Sequence, residues 1–202
     1  NLRLHKDVAA GELDLVAERR RLLEKYSDIG ADPYTDAGFP FQRTVGLNRS
    51  FLSHSLLPLF SSFFSRLGFR VIYPDSVDSP GISRIEAQYC LPAQLAHGAF
   101  WKLLEQKPDY IFLPHIMQLP VPNVPTFSRT CVFVQGEPYY LRTTFREELE
   151  SSPTALLTPI LMLEQGYEQA EQTMVDMATT IGIEGESART AYRCACARQR
   201  EF

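Results

Sequence analysis

The sequence predicts an α/β fold, in which helices flank a Rossmann-like parallel sheet and a mostly helical segment follows the sheet. Two observations lead to this prediction. Between residues 44 and 114, short apolar segments typical of strands alternate with amphipathic helical patterns, and beyond residue 154 the helical pattern dominates. Apolar residues make up 45% of the 202 residues, so the chain can bury a substantial core.

The first strand is predicted at residues 44–48, and an amphipathic helix follows it. The apolar residues of this helix recur at intervals typical of one helical face: Leu52, Leu56, Leu59, Phe60, Phe63 and Leu67. Pro58 lies inside the pattern, which predicts an irregular turn before it and regular helix after it. Gly68 is suited to end the helix because glycine readily adopts a left-handed conformation.

A second strand, a second helix and a third strand are predicted at residues 69–73, 92–106 and 109–114. Four apolar residues of the helix are expected to face the core: Leu95, Phe100, Leu103 and Leu104. The third strand is apolar almost throughout, which is typical of a strand buried on both faces. The alternation of strands and helices favours a parallel sheet. The proline-rich residues 115–130 are predicted to form a loop, and residues 130–135 a fourth strand.

The chain is predicted to divide into an N-terminal helix and linker at residues 1–43, the α/β domain at residues 44–150, and a helical extension at residues 151–202. Residues 7–26 have the charged amphipathic pattern of the first helix. Helical patterns at residues 154–180 and 187–202 make up the extension. Because the sequence begins at Asn1 and stops at Phe202 inside a helical pattern, we expect a fragment of a larger protein whose remainder is missing.

Charge and composition exclude several classes of function. The formal net charge of -4 provides no broad basic field, which argues against nucleic-acid binding. No apolar run approaches the length that crosses a membrane. Four cysteines are too few for a disulfide scaffold, so we expect reduced thiols and a cytoplasmic protein. No paired-glycine loop that could cradle phosphates is present, so neither a dinucleotide site nor a P-loop is predicted.

Residues 89–98, with the sequence Tyr-Cys-Leu-Pro-Ala-Gln-Leu-Ala-His-Gly, place Cys90 where a loop meets a predicted helix. A helix N-terminus stabilises the thiolate, which is the form that binds metal or attacks an electrophile. Ligands of parallel sheets bind beyond the carboxyl ends of the strands, and Cys131, His97 and His115 are predicted neighbours of Cys90 there. A packing or capping role is expected for His97, and a buried structural thiol is the alternative for Cys90.

Three kinds of site remain open on the residues alone. Cys90 and Cys131 could hold an iron–sulfur cluster, because clusters prefer soft sulfur ligands. The same two thiols with a histidine could hold zinc, or one cysteine could act as a nucleophile. Cys194 and Cys196 lie two apart on a predicted helix, so they point to different faces and are expected to pack rather than share a metal.

An ordered series of residues resembles a domain of very large CoA-enzyme activases and, more distantly, the 2-hydroxyacyl-CoA dehydratase and benzoyl-CoA reductase subunits. The resemblance covers residues 44–202. It rests on the succession of segments 46–49, 58, 63–71, 86, 90–98, 109–114, 131 and 135–138, which includes Cys90-Leu-Pro92-Ala93, His97-Gly98 and Gln135-Gly136.

The resemblance implies a redox role in reductive activation of a 2-hydroxyacyl-CoA dehydratase-like system. In the related enzymes, cysteines near strand ends bind a low-potential [4Fe–4S] cluster that passes electrons to a CoA thioester. Carried over by position, Cys90 and Cys131 would be metal ligands, and no catalytic residue is implied. A third well-placed cysteine is missing, so further ligands would come from elsewhere in the polypeptide or from a second subunit, unless this copy has lost the cluster.

The activases use ATP on a separate actin-like domain, whose motifs this sequence lacks, so this piece is not expected to be an enzyme in isolation. The implied partners are other domains of the same polypeptide and a dehydratase or reductase protein. Two alternatives stay open. The chain could be a non-catalytic docking module with inert cysteines, or a zinc-binding domain.

Overall fold

The computed structural model describes residues 14–30, 43–85, 90–121 and 128–202. Six strands lie in these ranges: β1 Arg43–Leu47, β2 Phe69–Ile72, β3 Tyr110–Phe112, β4 His115–Ile116, β5 Ala155–Leu157 and β6 Ile160–Leu161. The α-helices of the described residues are α1 Leu15–Tyr26, α2 Phe51–Ser55, α3 Leu57–Arg66, α4 Ser79–Ile82, α5 Leu91–Gln106, α6 Val132–Gln135, α7 Glu137–Thr144, α8 Arg146–Glu150, α9 Glu171–Thr180 and α10 Gly185–Glu201.

Four strands form the main sheet, in the order β2-β1-β3-β5, and every neighbouring pair is parallel. Val45 in β1 stands opposite Val71 in β2 on one side and Tyr110 in β3 on the other. A parallel sheet flanked by helices and followed by a helical C-terminal segment confirms the predicted fold class. The division at residues 43 and 150 stays a prediction.

The β3–β5 pair continues past two prolines as the short pair β4–β6. The amide of Leu113 donates to the carbonyl of Leu157 over 2.8 Å, and the amide of His115 donates to the carbonyl of Pro159 over 2.8 Å. Pro114 and Pro159 lack an amide hydrogen and interrupt the regular ladder between these bonds. The loop predicted at residues 115–130 is therefore wrong at His115–Ile116, where β4 forms. The helix predicted from residue 154 is wrong at residues 155–157 and 160–161, where β5 and β6 form.

Side chains of the sheet alternate between two cores, one on each face. Along β3, Tyr110 and Phe112 pack in one core, while Ile111 and the following Leu113 pack in the other. The first face is covered by α3, α9 and α10, and the second by α5, α7 and α8. Because β3 is buried on both faces, its sequence is apolar almost throughout, as predicted.

The first core contains a chain of aromatic rings between α3 and the sheet. The Phe64 ring lies 5.1 Å from that of Phe112 and 5.7 Å from that of Phe69, edge to face in both cases. On the other side of α3, the ring of Tyr192 in α10 lies 5.7 Å from that of Phe63. Helix α3 begins after an irregular residue at Leu56, as the proline in its first turn predicted.

The second core is built on α5. Gly46 in β1 faces this helix, and a Cβ at Gly46 would lie 2.9 Å from Leu103 Cδ2. A larger residue in β1 would therefore push α5 away from the sheet. Phe100 and Leu103 are fully buried, as predicted, but Leu95 is 38% exposed, so its predicted inward orientation is wrong. It lies in the first turns of α5, beyond the edge of the sheet.

Three other predictions are decided by the described residues. Residues 132–135 form α6, so the fourth strand predicted there is wrong. Helix α1 covers residues 15–26, and the earlier part of its predicted range lies outside the described residues. The helices predicted near residues 164–180 and 187–202 are confirmed as α9 and α10. None of the described helices is long and apolar enough to span a lipid bilayer.

Helices α4 and α5 touch at Gly98, and we expect Gly98→Ala to lower the free energy of unfolding by about 1–3 kcal/mol through overpacking. A Cβ at Gly98 would lie 2.3 Å from Val77 Cγ1 and 2.9 Å from the Asp78 carbonyl oxygen. Urea denaturation measures the change. Gly185→Ala is the matched control, because its nearest contact would be Val175 Cγ1 at 3.8 Å. Equal stability of both variants would contradict the close approach.

Candidate functional site

The strand order places a crevice beyond the carboxyl ends of β1 and β3. The chain passes from β1 to β2 on one side and then crosses to β3 on the other side of β1. Ligands of open parallel sheets bind where the order reverses in this way. The residues that follow these ends include Asn48 and His115, as the sequence predicted, and helices α5, α6 and α7 converge on the same end of the sheet.

The centre of this end is a buried carboxyl group that sequence reasoning missed. Glu137, the first residue of α7, is only 3% exposed. Its Oε1 accepts a hydrogen bond from Asn48 Nδ2 over 2.8 Å and a very short one from Ser50 Oγ. Asn48 Nδ2 also donates to the Ala96 carbonyl of α5 over 3.3 Å. The Glu137 side chain thereby joins the end of β1 to two helices.

No cation pairs with Glu137 among the described residues. Burial raises the pKa of Glu137 from 4.5 to about 7, although the hydrogen bonds from Ser50 and Asn48 act in the opposite direction. Burying a carboxylate without a countercharge is costly, so the neutral acid is favoured. The carboxyl group can therefore exchange a proton near neutral pH.

The turn after β1, which carries Asn48 and Ser50, has a strained backbone. Phe51 has a φ of 35°, which is unusual for a residue with a Cβ. Arg49, two residues earlier, donates to the Asp75 carbonyl over 2.5 Å and so ties this turn to the one after β2. Strain of this kind clusters at binding and catalytic sites, because the surrounding contacts must hold it in place.

Tyr140 lies one turn after Glu137 on α7, and its ring is held by His97 of α5. The two rings stack with centroids 5.2 Å apart and an interplanar angle of 11°. His97 is buried, and its Nδ1 lies 2.7 Å from the Ala93 carbonyl oxygen. Burial lowers the pKa of His97, so it packs as a neutral ring. The packing role that the sequence predicted for His97 is confirmed.

The two predicted site cysteines lie at the starts of neighbouring helices. Cys90 is the N-cap residue of α5 and is half-buried, whereas Cys131 precedes α6 and is exposed. Burial raises the pKa of Tyr140, and the charges of Glu137, Cys90 and Cys131 raise it further. Residues 86–89, which precede Cys90, lie outside the described residues.

His115 is the remaining predicted neighbour, and it packs against the α6–α7 segment. Its Nδ1 lies 2.7 Å from the Gln135 carbonyl oxygen, and its ring centroid lies 4.7 Å from that of Tyr139. Within residues 14–30, 43–85, 90–121 and 128–202, no three His, Cys, Asp or Glu side chains are grouped so that they could hold a metal ion.

The other two cysteines lie away from this end of the sheet. Cys196 is buried in the first core, where burial raises its thiol pKa to about 12, and Cys194 is half-buried on another side of α10. The prediction that Cys194 and Cys196 point to different faces of one helix is confirmed. Helix α10 packs in the first core, whereas α5, which begins after Cys90, packs in the second core on the other face of the sheet.

A large apolar side chain follows each site cysteine in the chain and is exposed to solvent. Leu91, which follows Cys90, is 63% exposed, and Val132, which follows Cys131, is 73% exposed. Tyr139 is 69% exposed next to them on α7. Exposed apolar groups gathered in one region are typical of a surface that another protein or domain covers.

The donor set fits half of an iron–sulfur ligand set. Two thiols supply the soft sulfur donors that such clusters prefer, whereas a [4Fe–4S] cluster is commonly held by four cysteines. The buried hydroxyl of Tyr140 has no hydrogen-bond partner among the described residues. Cys90, Cys131 and Tyr140 are the residues that such a group would meet.

Glu137 and Tyr140 lie in Gly-Glu-Pro-Tyr-Tyr, which reads in the sequence as a turn followed by a short helix. The one available signal was that Asn48, a polar residue directly after a buried strand, needed a polar partner at the sheet end. Sequence alone could not show that this partner is Glu137, which lies 89 residues further along the chain.

Comparison with known proteins supports a family assignment. No significant match was found among curated proteins or among solved structures. The profile of the family described as the CoA enzyme activase uncharacterised domain matches residues 44–202, which include the whole main sheet, both site cysteines and the C-terminal helices. The chain therefore belongs to the CoA enzyme activase uncharacterised domain family.

Proposed function

We propose that this domain of an activase-type protein takes part in electron transfer, by supplying Cys90 and Cys131 as two ligands of a [4Fe–4S] cluster. The observation that supports the proposal is that both cysteines stand at helix starts, Cys90 as the N-cap residue of α5 and Cys131 as that of α6, at the end of the sheet where the crevice lies. Such a cluster, when bound, supplies a one-electron redox centre. The electron would pass to a dehydratase-like partner, driven by ATP hydrolysis on another domain.

The residues of this chain shape the site in two ways. Cys90 is the N-cap residue of α5, a helix of sixteen residues. Glu137 fixes α7 against β1 through Asn48 and Ser50, which sets the position of the segment that follows Cys131. Ligands beyond these two thiols would come from another part of the polypeptide or from a second subunit.

Anaerobic reconstitution of the full polypeptide with ferrous iron and sulfide tests the proposal. We expect the wild-type protein to develop the visible charge-transfer absorbance of an iron–sulfur cluster. Cys90→Ser and Cys131→Ser should each lose most of that absorbance and bound iron, because an alcohol is a poor ligand for this metal.

Cys194→Ser is the matched control, since this thiol is also half-buried but lies within α10 and starts no helix. It should take up as much iron and sulfide as the wild type. A wild-type polypeptide that never takes up iron, or equal uptake by all three variants, would contradict the proposed role of the two thiols. Stoichiometric colourless metal that is lost with the same two cysteines would instead identify a zinc site.

A docking module is the second candidate, because an exposed apolar side chain directly follows each of the two cysteines. In this case the domain would position the ATP-using part on a dehydratase-like protein and its cysteines would be inert. Leu91→Ser combined with Val132→Ser would then weaken association with that partner in the metal-free state. Under this alternative, Cys90→Ser with Cys131→Ser should leave the association unchanged.

A further inference from the structure

Strands β5 and β6 form one continuous edge of the fold at residues 155–161, the β5–β6 edge. β5 is the last strand in the order of the main sheet, and β6 extends the same line beside β4. No further strand lies beyond them among the residues that the structure describes. Their hydrogen bonds to the inner strands use alternate residues: Ala155 donates to the Asp109 carbonyl over 2.9 Å, and the carbonyls of Leu157, Pro159 and Leu161 accept over 2.8, 2.8 and 3.0 Å.

The residues in between turn their backbone groups outwards. In a parallel ladder the amide and the carbonyl of one residue point to the same side, and the side alternates from one residue to the next. The backbone groups of Leu156, Thr158 and Ile160 therefore face away from β3 and β4, and within the described ranges nothing bonds to them. Pro159 belongs to the inward-facing residues, so its missing amide hydrogen does not interrupt the outward side.

The side chains along the β5–β6 edge do nothing to block another strand. Leu157 and Leu161 are buried in the first core, whereas Ile160 is 56% exposed and Met162 is 38% exposed. Residues 154–163 contain no charged side chain. Proteins usually protect a free edge with charges, prolines or a bulge, because unpaired backbone groups are a template for a further strand. An apolar edge without such protection is typical of a surface that pairs.

A cavity of about 580 Å³ opens between the β5–β6 edge and helices α7 and α8. Leu149 and Leu156 supply its apolar lining, and Arg142, Arg146 and Glu150 supply charges of both signs. None of these three charged residues has an ion-pair partner in the part of the chain that the structure describes. Arg146 and Glu150 lie one turn apart on α8, so the rim of the cavity carries a positive and a negative group in sequence along the edge.

We propose that the β5–β6 edge pairs with the same edge of a second copy of this chain, in antiparallel orientation about a two-fold axis near Thr158. A two-fold axis sets identical strands antiparallel, so the outward amides of one copy meet the outward carbonyls of the other. The three outward residues of each copy can then share about six backbone hydrogen bonds. The two four-stranded sheets become one sheet of eight strands.

The charges favour a second copy over an acidic strand of another protein. An acidic strand would satisfy Arg142 and Arg146 but would bring a like charge to Glu150. Across a two-fold axis, α8 of one copy runs opposite to α8 of the other on the same face of the sheet, so Arg146 of each copy faces Glu150 of the other. Pairing also covers the free edge of both copies, so assembly through this edge stops at two.

Sedimentation equilibrium and amide hydrogen exchange of the full polypeptide test the proposal. We expect a dimer, and we expect the amides of residues 154–163 to exchange more slowly as the protein concentration rises. Thr158→Pro should raise the dissociation constant by about tenfold or more, because it removes a bonded amide close to the axis. Its fold should be intact, since proline is tolerated where the amide points out of the sheet, and thermal unfolding checks this. Thr158→Val is the matched control, because it keeps the amide, and it should dimerise as the wild type does.

Reversal of charge gives an independent test on α8. Arg146→Glu should raise the dissociation constant by about threefold to tenfold, because it replaces two exposed ion pairs by like charges. Adding Glu150→Arg to the same chain should restore dimerisation, since each pair is then re-formed with its signs exchanged. A double variant as weak as the single one would contradict the antiparallel arrangement of the two α8 helices.

Other results would overturn the proposal as a whole. A monomeric polypeptide whose amides at residues 154–163 exchange freely would show that the edge stays open. Slow exchange that does not depend on concentration would mean that another segment of the same polypeptide covers the edge. A dimer that Thr158→Pro leaves unchanged would form through a different surface. None of these results depends on Cys90 or Cys131, so the proposed function is tested separately.

Discussion

Glu137→Gln is expected to make the metal-free protein more stable than the wild type at alkaline pH and equally stable at acidic pH. Glutamine keeps the acceptor oxygen that Asn48 and Ser50 use, but it carries no charge at any pH. The variant therefore resembles the wild-type protein with Glu137 protonated. The difference between the two proteins measures the cost of ionising this one buried carboxyl group.

The sign follows from the raised pKa. Burial moves the pKa of Glu137 from 4.5 to about 7 in the folded state. The folded protein binds the proton more tightly than the unfolded chain, so the stabilisation is fully present below the unfolded pKa and is lost as pH rises through the folded one. Between about pH 5 and about pH 8 the wild type should lose roughly 2.5 kcal/mol through this group, on the basis of 1.36 kcal/mol per pKa unit.

Urea denaturation across this pH range gives the measurement. Other groups also titrate in this pH range, since burial lowers the pKa of His54 and of His97. The prediction therefore concerns the difference in the free energy of unfolding between the variant and the wild type. That difference should grow with pH. Glu150→Gln, at an exposed carboxylate on α8, should show no such growth. If the free energies of unfolding of Glu137→Gln and the wild type changed with pH in parallel, the folded protein would tolerate the negative charge on Glu137.

Phe64→Ala is expected to cost about 3–5 kcal/mol of the free energy of unfolding, as other large-to-small core substitutions of this type do. Phe64 is fully buried, and its ring makes edge-to-face contacts with Phe63, Phe69 and Phe112. These neighbours come from α3 and two strands, so they cannot all move into the space left by the ring. The loss therefore includes a cavity as well as the removed apolar surface.

Chemical denaturation at one pH measures this loss, and Phe64→Leu provides a graded comparison because it keeps part of the volume. Leu91→Ala is the matched surface control, since Leu91 is 63% exposed and should change stability by less than about 0.5 kcal/mol. A loss from Phe64→Ala no larger than that from Leu91→Ala would mean that α3 is not packed on the sheet as described.

The regular part of the fold could be predicted because local sequence signals agreed with their surroundings. β1, β2 and β3 are short apolar segments, and α3 and α5 have clear helical periodicity. The helix predicted over residues 156–163 was wrong, because apolar residues spaced one, three and four apart fit one face of a helix as well as they fit two short buried strands. Pairing with β3 and β4 decides for strands, and that pairing is not visible in the local sequence.

The same limit applies to the site. Cys90 and Cys131 could be placed at the end of the sheet because parallel topology puts every loop after a strand at one edge. Glu137 and Tyr140 could not be predicted as site residues, because what distinguishes them is their burial and their contacts with α5 and β1 in the folded chain. Burial of a charged residue is a property of the whole fold, and local patterns indicate the opposite for glutamate.

Helix α10 completes the first core from far along the chain, and this has a consequence for synthesis on the ribosome. The amide of Leu59 donates to Gln199 Oε1 across a separation of 140 residues, and Tyr192 packs on Phe63. At typical elongation rates, roughly 7 to 28 s pass between the synthesis of α3 and that of its partner. During that interval the side of α3 that packs on α10 has no native cover, although the side that contacts β2 can already be covered.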